Sequence, residues 1–345
     1  MIKETKNTPE FDFSRLLLQW NTKSNTRQMP WKGEKDPYKI WLSEIILQQT
    51  RVEQGLSYYS RFIKVFPDIN KLARASDEKV FKYWEGLGYY SRCRNLIVAA
   101  RYVSRDLKGV FPSEYEEIIK LKGVGSYTAS AIASFAYNLP YAVVDGNVFR
   151  VLARIFGIKK PIDSTEGKKY FSALARELLD EAQPGLYNQA IMDFGATVCK
   201  PVSPLCSKCP FQSNCFAFHK EKITVLPVKL KKSPVRKRWF YYFVLQADNR
   251  IAVQQRTDKD IWQGLYEFPV IEASEETSIE RILKQAEKKG WISKSTFVPA
   301  KKIEKYSQKL SHQLVTGIFI KIDTQQFPVA NWRWLTPAER KKVAF

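Results

Sequence analysis

Four of the five cysteines, Cys199, Cys206, Cys209 and Cys215, fall within 17 residues in the spacing C-x6-C-x2-C-x5-C. Four thiolates this close in sequence can converge on one centre, which suits an iron–sulfur cluster or a tetrahedral zinc ion. Zinc ribbons pair two short C-x2-C knuckles. Here only Cys206 and Cys209 form one, so a single 4Fe–4S cubane is the better fit. Such a cluster need not be redox-active, since it can staple a loop whose Lys200 and Lys208 face phosphates. Cys93 stands apart and reads as a small buried hydrophobe.

Two carboxylates are candidates for acid–base and electrostatic work. Glu44 sits in WLSEIILQQT, a helical stretch that is apolar nearly all round, and shares a face with Ile40, Trp41, Leu47, Gln48 and Arg51. Partial burial would raise its pKa and let it hold a proton at neutral pH. A salt bridge to Arg51 is the alternative. Asp145, in VVDGNVFRVLARIF, follows an apolar segment and precedes a helix. It can be a plain N-cap, or an ionised carboxylate that stabilises positive charge on a sugar.

A third motif, LKGVGSYTASAIASFAY at 121–137, places Gly123 and Gly125 on either side of Val124, after an apolar helix end at Ile118-Ile119. Glycines there permit a hairpin and allow a phosphate to approach exposed N–H groups, with the following helix N-terminus facing the same anion.

The elements that must hold these groups divide at a basic run. Residues 11–220 read as mostly helical, with Asp36-Pro37 as one helix start and Asp77 as the cap of another. Residues 223–238, ITVLPVKLKKSPVRKR, form a basic linker by composition, a solvated tether whose charge could also track a DNA backbone. Beyond it, WFYYFVLQADNRIAVQQR predicts two strands joined at Asp248-Asn249. FVPAKKIEKYSQ, HQLVTGIFIKI and NWRWLT add further strands, and SIERILKQAEKKG a helix. The fold class is therefore a mainly α N-terminal domain, 1–222, followed by an α+β domain, 239–345.

The bulk of the chain fits this division. Fifty-six Lys and Arg against 35 Asp and Glu give a net charge of +21, which favours a polyanionic partner through counterion release. The longest apolar stretch, 131–144, is broken by Asn138 and Pro140, so no membrane span is expected. The polar start MIKETKNTPE has no signal-peptide core, and clustered cysteines argue against a secreted disulfide scaffold. A cytoplasmic, reduced setting follows, with a bacterial nucleoid as the expected site.

Taken together in this order, LKGVGSYTA, VDGNVFRVLARIF and the cysteine array resemble the endonuclease III superfamily of helix-hairpin-helix DNA glycosylases. Within it, PWKGEKDPYKIWLSEIILQQTRV, WEGLGYYSRCRNL and YNQAIMDFGATVC resemble the adenine DNA glycosylases of the MutY type, from about Arg27 to Cys215. The resemblance implies a six-helix module at about 30–138 and an iron–sulfur module made of the N-terminus with about 139–222. It implies excision of adenine mispaired with 8-oxoguanine or guanine in duplex DNA by a monomeric enzyme, through base flipping.

Residue by residue, the resemblance makes Glu44 the acid that protonates adenine N7 and Asp145 the stabiliser of an oxocarbenium-like sugar, with Tyr127 and Asn147 in support. Arg27, Trp31, Leu47 and Gln189 would line the adenine pocket. Gln49 and Tyr89 would wedge into the duplex, and the turn of Gly123, Val124 and Gly125 would grip its backbone. Bifunctional glycosylase-lyases of the superfamily carry a nucleophilic lysine where this chain has Tyr127, which cannot form a Schiff base, so monofunctional action is implied. The C-terminal domain resembles the Nudix-like recognition domain of the same family, with WQGLYEFP at 262–269, but SIERILKQAEKKG lacks the glutamate-rich R-E-x-x-E-E helix of Nudix hydrolases. Family members read 8-oxoguanine with a Phe-Ser-His loop. Here Leu310 stands before Ser311 and His312. An endonuclease III-type pyrimidine-lesion glycosylase-lyase and a catalytically silent iron–sulfur DNA-binding protein are the alternatives; Tyr127 opposes the first and the Glu44–Asp145 pair the second.

Overall fold

Asp12 begins the first helix by accepting a hydrogen bond from the Arg15 N–H, and Asp36 begins the second in the same way from Tyr38, with Pro37 supplying a helical φ at the first position. The computed structural model describes residues 11–230, 235–293, 302–310, 312–324 and 332–345. MIKETKNTPE, Ser311 and part of the basic linker lie outside them. In chain order the helices are α1 (Phe13–Ser24), α2 (Pro37–Leu47), α3 (Val52–Val65), α4 (Ile69–Arg74), α5 (Asp77–Trp84), α6 (Tyr90–Arg105), α7 (Tyr115–Ile118), α8 (Ser126–Tyr137), α9 (Gly146–Phe156), α10 (Thr165–Glu177), α11 (Pro184–Thr197), α12 (Phe216–His219), α13 (Ile279–Lys288) and α14 (Pro337–Arg340). Among the described residues no helix is long and apolar enough to cross a membrane.

The chain forms two compact units, one of Met1–Arg74 with Asn95–Lys231 and the other of Ala75–Arg94 with Lys232–Phe345. In the first, one core joins Phe13, Leu17 and Trp20 of α1 to Val148, Val151 and Leu152 of α9 and to Tyr187, Ile191 and Phe194 of α11. Phe211, from the cysteine loop, is fully buried in this core and stacks on Phe13 with ring centroids 4.7 Å apart. Helices α2 and α8 pack together beside it. Helix α2 is buried along most of its length, from Tyr38 through Ile46 apart from Lys39, which places Glu44 inside the protein.

The second unit is built on a mixed sheet: β1 (Arg236–Ala247), β2 (Arg250–Gln255), β3 (Tyr266–Glu267), β4 (Val270–Ala273), β5 (Ile303–Lys309), β6 (Gln313–Asp323) and β7 (Arg333–Leu335). Its order is β3-β2-β1-β6-β5, with β1 and β6 parallel, β4 also pairing β1, and β7 pairing β2. Asp248 and Asn249 both have positive φ, the backbone of a two-residue turn between antiparallel β1 and β2. Tyr241, Phe243 and Leu245 pair in register with Ile318, Ile320 and Ile322 on one face. Ile282 and Ala286 of α13 complete that core.

One expectation changes. Ser76, not Asp77, caps α5, accepting from the Lys79 N–H, and Asp77 falls inside the first turn, where a carboxylate favours the helix dipole instead. By its contacts, the segment Ala75–Arg94 groups with the C-terminal residues in one compact unit. Its tertiary partners explain this: the Arg94 guanidinium donates to the Gln263 carbonyl at 2.6 Å, and Lys82 to the Val343 carbonyl at 3.0 Å.

Candidate active site

A cavity of about 820 Å³ opens in the first unit, within the range of small-molecule sites. Its walls include Glu44, Tyr127, Asp145 and Asn147, as well as Arg27, Trp31, Leu47, Gln189 and Gln49. Residues separated by more than 160 positions in sequence thus meet around one space.

Glu44 comes from α2 and is 6% exposed. Burial pushes its carboxyl up to about 7. The Tyr127 hydroxyl, hydrogen-bonded to it, opposes the rise, and the charge of Asp145 adds to it. Arg51, the alternative partner, lies beyond the end of α2 and begins α3. Asp145 caps α9 and accepts three hydrogen bonds at 2.8 Å, from the N–H groups of Asn147 and Val148 and from the Asn147 side-chain amide. Burial pushes Asp145 up, while these donors and Arg150 favour its anion. It is therefore a cap and a cavity carboxylate at once. Burial and the nearby Glu44 and Asp145 charges keep Tyr127 in its neutral phenol form, able to donate.

Asn147 is fixed in turn. Its side-chain oxygen accepts from Arg150 at 2.8 Å, and the same guanidinium donates to the Gly195 and Cys199 carbonyls at 2.7 and 2.8 Å. Gly195 lets α11 come this close, because a Cβ there would lie 2.6 Å from the Asn147 Cβ.

The pocket half is organised by a residue the sequence did not single out. Asp193, with no exposed surface, accepts from Arg27 at 2.8 Å and Gln189 at 3.0 Å on one oxygen, and from Asn25 at 2.9 Å and Lys32 at 3.1 Å on the other. Its signal, an acid within the apolar helix α11, is the one that pointed to Glu44. Trp31 stands edge-on to Tyr59 with centroids 5.4 Å apart. Gln49, at the rim, is exposed and has φ 55°, unusual for a residue with a Cβ.

Other expected residues lie away from this cavity. Gly123 has φ 82°, and a Cβ there would meet the Asn95 side chain at 2.7 Å, so both backbone and space call for glycine. Gly125 is extended, begins α8 without a side-chain cap, and has open space where a Cβ would project; Val124 between them is buried. Tyr89 belongs to the second unit, at φ 48° between the positive-φ Gly88 and α6, with the Arg92 guanidinium 5.4 Å from its ring. Leu310 and His312 lie in the turn from β5 to β6, which the Leu310 N–H closes onto the Gln313 carbonyl at 2.7 Å. His312 is exposed, and Ser311 lies outside the described residues.

Cys199, Cys206, Cys209 and Cys215 line one small cavity together with Arg154 and Phe194. Arg154 donates to the Cys199 sulfur at 3.6 Å, and the Cys215 thiol lies 3.6 Å from the Arg154 carbonyl. Burial pushes Cys206, Cys209 and Cys215 up, and the charge of Cys199 adds to the rise in all three. Among the described residues no three His, Cys, Asp or Glu side chains are gathered closely enough to hold a single metal ion.

Residues 42–179 match the HhH-GPD superfamily base excision DNA repair protein, and residues 240–345 match the NUDIX domain. The chain is 35% identical over 308 residues to the adenine DNA glycosylase of Buchnera aphidicola subsp. Baizongia pistaciae, covering 87% of this chain and 83% of that one. It is 44% identical over 214 residues to the adenine DNA glycosylase of Homo sapiens, covering 59% and 39%. Among solved structures, a thermostable thymine-DNA glycosylase aligns with TM-score 0.56 and 29% identity over 60% of this chain and 95% of that one. A trapped endonuclease III–DNA covalent intermediate, at TM-score 0.52, 19% identity and the coverages 60% and 94%, shares the fold. The chain belongs to the adenine DNA glycosylase family, within the HhH-GPD superfamily of base-excision repair proteins.

Proposed function

We propose that the enzyme excises adenine opposite 8-oxoguanine or guanine in duplex DNA, as a monofunctional glycosylase. One observation carries this: Glu44, pushed up to about 7 by burial, and Asp145, pushed up by burial against three donors that favour its anion, line a single cavity of base-pocket size. By analogy with glycoside hydrolysis, a protonated carboxyl group beside an ionised one can cleave an N-glycosidic bond. The adenine is flipped into the cavity, where Arg27, Trp31, Leu47 and Gln189 hold it. Protonated Glu44 gives its proton to N7, and the C1′–N9 bond breaks with its electron pair leaving on the now neutral base. Asp145 stabilises the positive sugar. Ionised Glu44 then takes a proton from the water that adds to C1′. Tyr127 and Asn147 orient the two carboxyl groups, and Tyr127 offers no amine for lyase chemistry.

Several other features support roles on the duplex. Gln49 and Tyr89, both held at positive φ, fit wedges that repay unstacking. The Gly123–Gly125 turn, open at Gly125, fits a phosphate clamp. Leu310, Ser311 and His312 read 8-oxoguanine. The donor set of Cys199, Cys206, Cys209 and Cys215 fits a 4Fe–4S cluster, since the four line one cavity and their spacing holds a single C-x2-C knuckle. Bound there, the cluster would supply a structural staple for the loop. Arg154 and the buried Phe211 hold that loop against α9 and α1.

Duplexes carrying adenine opposite 8-oxoguanine, adenine opposite guanine, or thymine glycol test the activity. The expected result is nicking of the adenine strand only after alkali. Strand cleavage of the thymine glycol duplex without alkali would overturn the proposal.

A further inference from the structure

We propose that the C-terminal recognition domain positions the Tyr89 wedge, so that the domain that reads the mispaired guanine also sets the unstacking residue. The inference rests on the assignment of Tyr89 as a wedge and goes beyond it. Residues 75–94 lie within the stretch matched by the HhH-GPD family, yet they belong to the same compact unit as the strands of the NUDIX domain.

Several ties hold them there, from residues spread along the segment. Glu78 Oε1 accepts from the Tyr266 hydroxyl at 2.8 Å and from the Arg333 guanidinium at 3.2 Å, and Arg333 also bonds the Tyr266 hydroxyl. Lys82 donates to the Val343 carbonyl at 3.0 Å. The Phe81 ring fits over Gly264, whose φ of 91° disfavours a side chain and where a Cβ would lie a tight 3.1 Å from the ring. Arg94 donates to the Gln263 carbonyl at 2.6 Å. Phe81 and Arg94 thus bracket Tyr89 in sequence and meet adjacent residues of the WQGLYEFP segment. Between them, Trp84 donates to the Gly88 carbonyl at 3.0 Å and Arg92 to the same oxygen at 3.2 Å, so the backbone beside Tyr89 is fixed to the helices that carry the ties. A wedge works only if its backbone resists the duplex, because insertion costs unstacking energy that a yielding loop cannot supply. The positive φ of Tyr89, rare for a side chain of its size, marks a shape that needs such support.

The test uses the full chain and a duplex whose adenine carries a 2′-fluoro substituent, so that it is not excised. A 2-aminopurine stands next to the 8-oxoguanine, and its fluorescence rises when the neighbouring stack opens. Arg94→Ala, and separately Arg333→Ala with Glu78→Ala, should lose most of the rise seen with the wild-type chain at saturating protein. Their far-UV circular dichroism should be unchanged. Tyr89→Ala should lose the same rise, and adding Arg94→Ala to it should weaken duplex affinity no further. A full rise in the tie variants, together with a lost rise in Tyr89→Ala, overturns the positioning role while leaving the wedge intact. A full rise in Tyr89→Ala overturns the wedge assignment and the inference with it.

Discussion

Arg27 and Gln189, which enter the pocket from opposite parts of the chain, both donate to the same Oδ1 atom of buried Asp193, at 2.8 and 3.0 Å. A flexible guanidinium that would otherwise sample many rotamers is thereby held in place at the cavity wall, which lowers the ordering cost of any contact it makes there. Lys32 and Asn25 on the second oxygen complete the set.

Asp193→Asn should therefore damage both stability and pocket. Its cationic partners are partly exposed and can regain water, so the loss should be about 2 kcal/mol rather than that of a fully buried pair. Urea unfolding measures this term. Single-turnover excision should fall alongside a weaker affinity for the flipped base. Full excision with Arg27 unpaired would show that the aim of the guanidinium is immaterial.

Glu44 links pH to stability with a definite sign. Its folded-state value of about 7 lies above the ordinary 4.5, so its favourable contribution is complete below pH 4.5 and is lost as pH rises through about 7. The span corresponds to about 3 kcal/mol. Glu44→Gln cannot ionise, and relative to wild type it should gain about that amount between pH 4.5 and pH 8. It should also bind mispaired duplex and leave adenine in place. Denaturation at the two pH values, beside a base-release assay, separates the stability effect from the chemical one. Parallel stability curves for the two proteins would refute the buried acid.

Much of this site could be read from the sequence because its residues carry local signals. Glu44 interrupts an apolar helix, Asp145 sits where a cap belongs, and the cysteines advertise themselves by spacing. The Asp248-Asn249 turn was equally local, since only residues tolerant of positive φ serve there. What stayed hidden was partnership. Nothing around residues 75–94 says that Phe81 will meet Gly264 or that Arg94 will find the Gln263 carbonyl. Nor does α11 say that Asp193 will gather Arg27 and Lys32 from the loop before α2. These pairings are decided by tertiary packing between segments far apart in sequence.

Tyr127 tunes the acid. Its hydroxyl holds the Glu44 value below where burial alone would put it, so Tyr127→Phe should move the alkaline limb of the excision profile to higher pH. The lost hydrogen bond should cost about 1 kcal/mol of stability. Single-turnover rates from pH 5 to pH 9 reveal the shift. An unmoved limb with a uniformly lower rate would instead mean that Tyr127 acts on the sugar and leaves the acid untouched.

Leu310, proposed above to contact 8-oxoguanine, is only half-buried in the β5–β6 turn. An apolar wedge of this size gains about 1.5 kcal/mol when it is fully covered, and an aromatic ring gains more. Leu310→Ala should therefore reduce the preference for adenine opposite 8-oxoguanine over adenine opposite guanine by about tenfold. Leu310→Phe should increase it. The comparison of the two duplexes matters more than either rate, because a change in general DNA affinity moves both equally. Equal loss on both duplexes would place Leu310 on the backbone and leave discrimination to Ser311 and His312.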